Sequence, residues 1–252
     1  MEIPLSVVLA TYNEEENLTD CLRSVKSLAE EIIVVDGGSA DSTREIAKKF
    51  KAKVYQVSNQ PIFHVNKQLA ADKAKGEWIL QLDADERVTP KLSQEIKEKI
   101  KQAEFAGYYL PRKNWFLTRF LTKGGQYPDY VIRLFRRGRG RFPCKSVHEQ
   151  IKIQGKVGHL KNPLIHLADK KFSHYLLRFN RYTSLDADRL FTTKVRPGAM
   201  SYLIIKPLHW FLLTYFRHKG FVDGLPGFIF SFMSSLRFPV IYLKLWEKYH
   251  AH

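Results

Sequence analysis

Residues 79–88 read ILQLDADERV. An apolar run ends, and Asp83, Asp85 and Glu86 follow within four positions. Carboxylates at the mouth of a buried strand repel one another and resist losing water. Something positive should answer them: a metal ion, a lysine or arginine, or plain solvent. In an extended segment, alternate residues share a face, so Asp83 and Asp85 would point the same way past the small Ala84. Two carboxylates completed by phosphate oxygens and water make a shell suited to Mg²⁺ or Mn²⁺. Taken alone, the triplet also reads as a solvated acidic loop, or as acids capping the helix after Pro90.

The residues upstream favour the first reading. LSVVLAT (5–11) is a short β-branched run that fits a buried parallel strand. Asn13 to Glu16 predict a helix start, with Asn13 as cap and Leu18, Leu22 and Val25 on one face. EIIVVDGGSAD (31–41) repeats the theme, with Ser39 or Asp41 as the cap of a second helix. AKVYQV (52–57) reads as a third strand, residues 64–75 as a helix stopped by Gly76, and EWILQLDAD (77–85) as a fourth strand. Thr89 and Pro90 read as N-cap and first residue of a helix running to about Gln102. Such alternation implies a parallel sheet wound by right-handed crossovers, with ligands beyond the carboxyl ends of its strands. Three of those ends carry polar residues: Thr11-Tyr12-Asn13, Asp36-Gly37-Gly38 and Asp83-Ala84-Asp85.

Past residue 105 the pattern changes. YVIRLF (130–135) alternates as a strand, RRGRGR (136–141) is a basic turn, and SVHEQIKI (146–153) and LIHLAD (164–169) are further strand candidates. From about Asp169 helices dominate. The net charge of +16 is unevenly spread over the 252 residues. Residues 1–100 carry 14 Lys and Arg against 17 Asp and Glu, residues 101–169 carry 14 against 4, and residues 170–252 carry 13 against 4. A basic surface attracts nucleic acid, anionic lipid or phosphorylated substrates. A nucleic-acid-binding protein is the remotest of these, because no RNA- or DNA-reading motif is present and the acidic part would oppose binding. Cys21 and Cys144 form no disulfide framework, and the N-terminus lacks the basic start of a signal peptide. Both point to a reducing compartment.

The last stretch contains two long apolar runs, 199–216 and 225–246. Lys206, Pro207 and His209 interrupt the first, and Pro226, Arg237 and Pro239 the second. Neither reads as a clean span, and interfacial helices with Trp210, Phe211, Tyr215 and Phe216 beside Arg217 and Lys219 fit better.

VVLATYNEEENL (7–18), IIVVDGGSADST (32–43) and WILQLDADE (78–86) together resemble family 2 glycosyltransferases. VIRLFRRG (131–138), VHEQI (147–151), NRYT (180–183), KGFVDGLPGF (219–228) and KLWE (244–247) resemble the bacterial lipopolysaccharide-core glucosyltransferase subgroup. The resemblance covers nearly the whole chain. It implies an α/β nucleotide-diphosphosugar transferase (GT-A) fold, a mostly parallel sheet flanked by helices, over residues 1–168. Residues 1–104 would hold the donor and 105–168 the acceptor, with a helical, membrane-interfacial extension over 169–252.

Carried over by position, Thr11, Tyr12 and Asp36 should line the nucleoside site, with Asn13 and the acids after it closing that pocket. Asp83 should sit near the ribose, and Asp85, with Asp83, should ligate Mg²⁺ or Mn²⁺. FHVNKQLA (63–70) departs from the family's Gln-Lys-Asn-like run, and Lys67 is the candidate there for the donor phosphates. Glu149, in VHE, is the candidate base and Asp129, in YPDY, the alternative. His148 and His166 are candidate third metal ligands. Arg133 lies within an alternating strand, where a guanidinium would have a defined anionic partner.

The reading is therefore an inverting, metal-dependent glycosyltransferase at the cytoplasmic face of a bacterial inner membrane. The donor would be a nucleotide sugar, UDP-glucose favoured, and the acceptor an anionic glycolipid of the lipopolysaccharide core. Transfer to polyprenyl phosphate is the alternative.

Overall fold

A computed structural model of the chain describes residues 4–60, 62–102, 104–144 and 150–250. The chain forms two compact units. The first takes residues up to Arg112 together with Asp129–His166, and the second takes Lys113–Pro128 with everything from Leu167 onward.

The first unit is built on β1 (Leu5–Thr11), with α1 (Glu15–Val25), β2 (Glu31–Asp36), α2 (Thr43–Lys49), β3 (Lys53–Gln56), α3 (His64–Lys73) and β4 (Trp78–Leu82) following. β1 pairs in parallel with β2 and with β4, and β2 with β3. Its β-branched and leucine side chains divide by pleat. Val7 and Leu9 face Leu18, Leu22, Leu92 and Ile96, while Val8 faces Ile33, Ala70 and Ile79. Both faces are covered, which is why β1 is apolar almost throughout. Register pairs Thr11 with Asp36 and Leu9 with Leu82, so the three polar strand ends lie side by side.

After β4 come β5 (Glu86–Val88), α4 (Pro90–Lys99), β6 (Gly107–Phe116), β7 (Arg119–Phe120), β8 (Asp129–Arg136), β9 (Gly140–Arg141), β10 (Lys152–Ile153), β11 (Val157–His159) and β12 (Leu164–Asp169). β8 runs antiparallel to β4, and the Gly107–Arg112 part of β6 runs antiparallel to β8. The sheet of this unit is thus parallel from β3 through β4 and mixed beyond β4.

Several local expectations need correction. Asn13 does not cap α1: it sits in the left-handed region at φ 53°, and Glu14 holds the cap position. Asn13 Oδ1 instead accepts from Ala40 N at 2.9 Å, and Asn13 N donates to Ser39 Oγ at 2.9 Å. Asparagine tolerates that backbone because its short polar side chain bonds locally. Ser42, not Ser39 or Asp41, precedes α2. Thr89 caps α4 as expected, its Oγ1 accepting from Leu92 N at 3.1 Å, although the helix ends at Lys99. β4 stops at Leu82, so Asp83-Ala84-Asp85 is a turn rather than extended strand, closed by Glu86 N donating to Asp83 O at 3.0 Å. Of the strand expected over 146–153, only Lys152–Ile153 pairs, while residues 145–149 lie outside the described residues.

The second unit adds α5 (Phe172–Thr192), α6 (Lys206–Phe211) between the π-helical turns Ser201–Ile205 and Leu212–Arg217, and α7 (Gly224–His250). α5 and α7 are fastened by Lys244. Its ammonium donates to Asn180 O, Asn180 Oδ1, Thr183 Oγ1 and Ser184 Oγ at 2.6–2.8 Å. Buried Asp223 accepts from Thr122 N, Lys123 N and Thr122 Oγ1, each at 2.8 Å, and so ties the 113–128 segment to the start of α7.

Candidate active site

The acids at the end of β4 find different partners. Asp83 Oδ1 meets Lys67 Nζ at 2.5 Å and Oδ2 meets Arg133 Nη2 at 2.5 Å. Glu86, wholly buried, accepts from Arg133 Nη2 at 2.8 Å and Nε at 3.2 Å through Oε1. Its Oε2 accepts from Asp83 N at 3.0 Å. The remaining arm of Arg133 donates to Gln81 Oε1 at 2.5 Å. Two buried cations thus answer two carboxylates. Burial opposes the charge on Asp83, but Arg133 and Lys67 outweigh it and hold that carboxyl well below the usual range. Burial pulls Lys67 below its ordinary value, against the attraction of Asp83.

Arg133 reaches this position through an irregularity. β6 and β8 pair Tyr108 with Leu134 but Tyr109 with Ile132, leaving Arg133 as the extra residue of a bulge. A bulge leaves one extra residue unpaired, bends its strand and so re-aims that side chain. Here it turns a guanidinium into the carboxylates at the end of β4.

Asp85 points elsewhere. Its ion-pair partner is His166, with Nε2 to Oδ2 at 3.3 Å. β5 pairs antiparallel with β12, placing His166 opposite Glu86 and next to this turn. Burial raises the Asp85 carboxyl and His166 lowers it, with a net shift downward. The turn itself is pinned by Arg87, which donates to Ala84 O at 2.7 Å and to Asn17 O of α1 at 2.8 Å.

The other strand ends complete the cluster. Asp36 is buried. Its Oδ2 accepts from Gly38 N at 3.1 Å and Ser39 N at 2.9 Å, and its Oδ1 from Ser39 Oγ at 2.5 Å and Thr11 Oγ1 at 3.3 Å. Gly38 has φ +85°, which lets the loop fold back onto that carboxylate. Tyr12 stands exposed beside it. Half-buried Glu14 accepts from Asn17 Nδ2 at 3.0 Å. Burial pushes its carboxyl up to about 7, with Asp85 and Asp83 adding to the rise and the Asn17 bond opposing it.

Thr11 is therefore bonded directly to Asp36, and Asn13 is linked to the same carboxylate through Ser39. Lys67, Asp83 and Arg133 form one ion-paired group, and Asp85 stands with His166 beside it. Asp129 accepts from Arg112 Nε at 2.9 Å and Nη2 at 2.7 Å, and Arg112 also approaches Glu86 at 3.7 Å. Glu149 and His148 lie outside the described residues. Sequence reasoning gave no role to Gln81, Glu86 or Arg112. The signal for Gln81 was a polar residue inside an otherwise apolar buried strand, and for Glu86 a third acid directly after the triplet.

No group of three or more His, Cys, Asp or Glu side chains gathers as a metal cage among the described residues. Asp85 and His166 supply two converging donors, a carboxylate and an imidazole. Both are divalent-metal ligand types, and a substrate and water can complete such a shell.

Residues 6–158 match the family model for glycosyl transferase family 2, and the chain belongs to that family. It is 28% identical over 250 residues to the lipopolysaccharide core biosynthesis glycosyltransferase LpsC of Rhizobium meliloti, covering 94% of this chain and 92% of that protein. An uncharacterized glycosyltransferase of Rickettsia typhi is likewise 28% identical, over 92% of this chain and 85% of that one. Among solved structures, the mannosyltransferase PcManGT from Pyrobaculum calidifontis, in complex with GDP-Man and Mn²⁺, aligns with TM-score 0.58 at 14% identity over 97% of this chain and 87% of that one. TarS 1–349 of S. aureus, in complex with UDP-GlcNAc, aligns with TM-score 0.53 at 15% identity over 99% and 92%. The protein is a glycosyltransferase with the GT-A fold.

Glu86→Gln removes one carboxylate from a buried group of two cations and two anions. Breaking such a group costs about 3–5 kcal/mol, which urea unfolding would register as a lower midpoint at unchanged slope. Glu14 gives a pH signature. Its folded value near 7 lies above the 4.5 of a free carboxyl, so the native state holds the extra proton and stability falls as pH rises between those values. Glu14→Gln should therefore gain stability over the parent as pH climbs through that window, and match it near the lower end.

Proposed function

We propose that the protein transfers a hexose, glucose in the first instance, from a nucleotide diphosphate sugar to an anionic glycolipid of the lipopolysaccharide core, with inversion and with a divalent ion. The observation that carries the donor half is the division of labour at the end of β4. Lys67 and Arg133 already neutralise Asp83 and Glu86, so Asp85 with His166 is the pair to which an added cation would bind. A mixed oxygen and nitrogen donor set favours Mn²⁺ over Mg²⁺, which prefers oxygen alone. When bound, such an ion supplies charge neutralisation for the departing diphosphate.

The chain's own residues do the rest. Thr11, Asp36 and the loop carrying Asn13 form the wall for the nucleoside, with exposed Tyr12 available to stack on a base. The Arg133–Glu86 contact fixes Asp83, leaving its part-exposed edge for the ribose. Lys67 holds Asp83 in place and is therefore a positioning group in this reading rather than a phosphate ligand. Inversion in one displacement needs a base to take the acceptor hydroxyl proton. Glu149 is proposed for that role on its place in the VHE segment, with Asp129 Oδ2 already accepting from two nitrogens of Arg112. The lipopolysaccharide-core acceptor is supported by the end-to-end similarity to LpsC and by the basic balance of residues 101–169. A UDP or GDP donor is supported by the UDP-GlcNAc and GDP-Man bound in the two aligned structures.

Calorimetry of UDP binding with Mn²⁺ and with EDTA tests the metal pair. Asp85→Ala and His166→Ala should each weaken binding at least about tenfold in Mn²⁺ and little in EDTA. Undiminished Mn²⁺-dependent affinity in both variants removes them from the site. Glu149→Gln should bind UDP normally and lose about 10²–10⁴-fold in transfer rate, the contribution of a general base. Near-parental turnover would place the base elsewhere, and Asp129→Asn is then the variant to measure.

A further inference from the structure

The second unit presents an apolar surface that the proposed reaction does not use. Met200, Ile204, Leu208, Leu212 and Phe216 recur at a stride of four, and each is between 46% and 63% exposed. On a regular α-helix of 3.6 residues per turn that stride drifts around the axis. Here it runs through the π-turns Ser201–Ile205 and Leu212–Arg217, whose wider i→i+5 bonding counters the drift. The outcome is one exposed stripe along the helix.

The stripe continues across the following turn. The Tyr215 ring lies 5.1 Å from that of Phe216, 6.2 Å from Phe221 and 5.6 Å from Phe228, and Phe228 stacks on Phe232 at 6.0 Å. Phe221, Leu225 and Phe228 are themselves exposed, so the patch extends onto the start of α7. The cations in the middle of these helices avoid it. Lys206 Nζ sits 3.8 Å from the centre of the Tyr202 ring, and the Arg237 guanidinium lies over Trp210 at 4.5 Å and Phe238 at 4.7 Å. Charge collects at the ends of the stripe instead: Lys194 and Arg196 before it, Arg217 and Lys219 after it.

We propose that this face docks in the plane of an anionic lipid bilayer, apolar stripe in the acyl boundary and basic ends at the headgroups. An exposed apolar stripe with aromatic residues and flanking Lys and Arg is the physical signature of interfacial binding. A second copy of the chain would cover the stripe equally well. Both ends are basic, however, so either direction of pairing would set like charges together.

Crossing the bilayer fits less well. Gly220–His250 is long and apolar enough for a span by length and composition. Its other side is bound through Lys244 to α5, which carries Arg178, Arg181, Asp186, Asp188 and Arg189. Immersing that partner in hydrocarbon is costly, and leaving it costs Lys244 its four acceptors.

Flotation with vesicles of phosphatidylcholine alone, or of equal parts phosphatidylcholine and phosphatidylglycerol, tests this. The full chain should float with the anionic vesicles and far less with the neutral ones. Leu208→Asp with Leu212→Asp should weaken binding at least about tenfold by removing two apolar anchors. Arg217→Gln and Lys219→Gln should each weaken it roughly fivefold, the equivalent of about 1 kcal/mol per charge. Circular dichroism and UDP calorimetry confirm folding, and Leu208→Asn replaces the double variant if it unfolds. The proposal is overturned by a parent that floats with neither vesicle, or by variants that float as the parent does. It is also overturned if sedimentation shows a dimer that the same changes dissolve while lipid binding persists. The readout needs neither donor nor acceptor turnover, so its failure leaves the proposed reaction standing.

Discussion

The site depends on where Arg133 is. A guanidinium buried between two carboxylates is stable only if hydrogen bonds compensate its lost hydration. Arg133 has them: Asp83, Glu86 and Gln81 accept from three of its nitrogens. Every other feature at the end of β4 follows. With Asp83 locked inward by Arg133 and Lys67, the turn must present Asp85 on another side, toward His166. The acid cluster that looks self-repelling in sequence is thus sorted into a neutralised inner group and an outer Asp85–His166 pair.

The sorting relies on non-local chain geometry. β8 is antiparallel and is bulged at Arg133, so one residue of an alternating strand is turned toward the carboxylates at the end of β4. β12 returns to pair with β5, bringing His166 from far along the chain. Both events occur in the mixed part of the sheet, beyond the parallel strands that carry Thr11 and Asp36. The GT-A fold of this protein therefore divides the work: parallel strands carry the Thr11 and Asp36 loops, and the antiparallel returns supply the charges that organise the acidic turn.

The parallel half was legible in the sequence because its signals are local. Apolar runs, capping residues and glycines placed β1, β2, β4 and α4 close to where they are, and register then brought Thr11 beside Asp36. The turn at Asp83–Asp85 was misread as strand because its closing bond and its Arg87 anchor are not visible in a pattern of alternation. Glu86 read as one more acid, since its partner lies 47 residues away. The exposed stripe on the C-terminal helices was only half legible. Composition reads as an interfacial segment, but the alignment of its exposed residues into one stripe depends on the π-turns, which composition does not show.

The most direct measurement is the anomalous scattering of manganese in crystals grown with UDP and Mn²⁺. The account predicts a single peak at the donor site within bonding distance of an Asp85 oxygen and His166 Nε2, with Asp83 still held by Arg133 and Lys67. A peak bound by Asp83 with Arg133 displaced, or nucleotide bound in this cleft with no manganese beside Asp85, would contradict it.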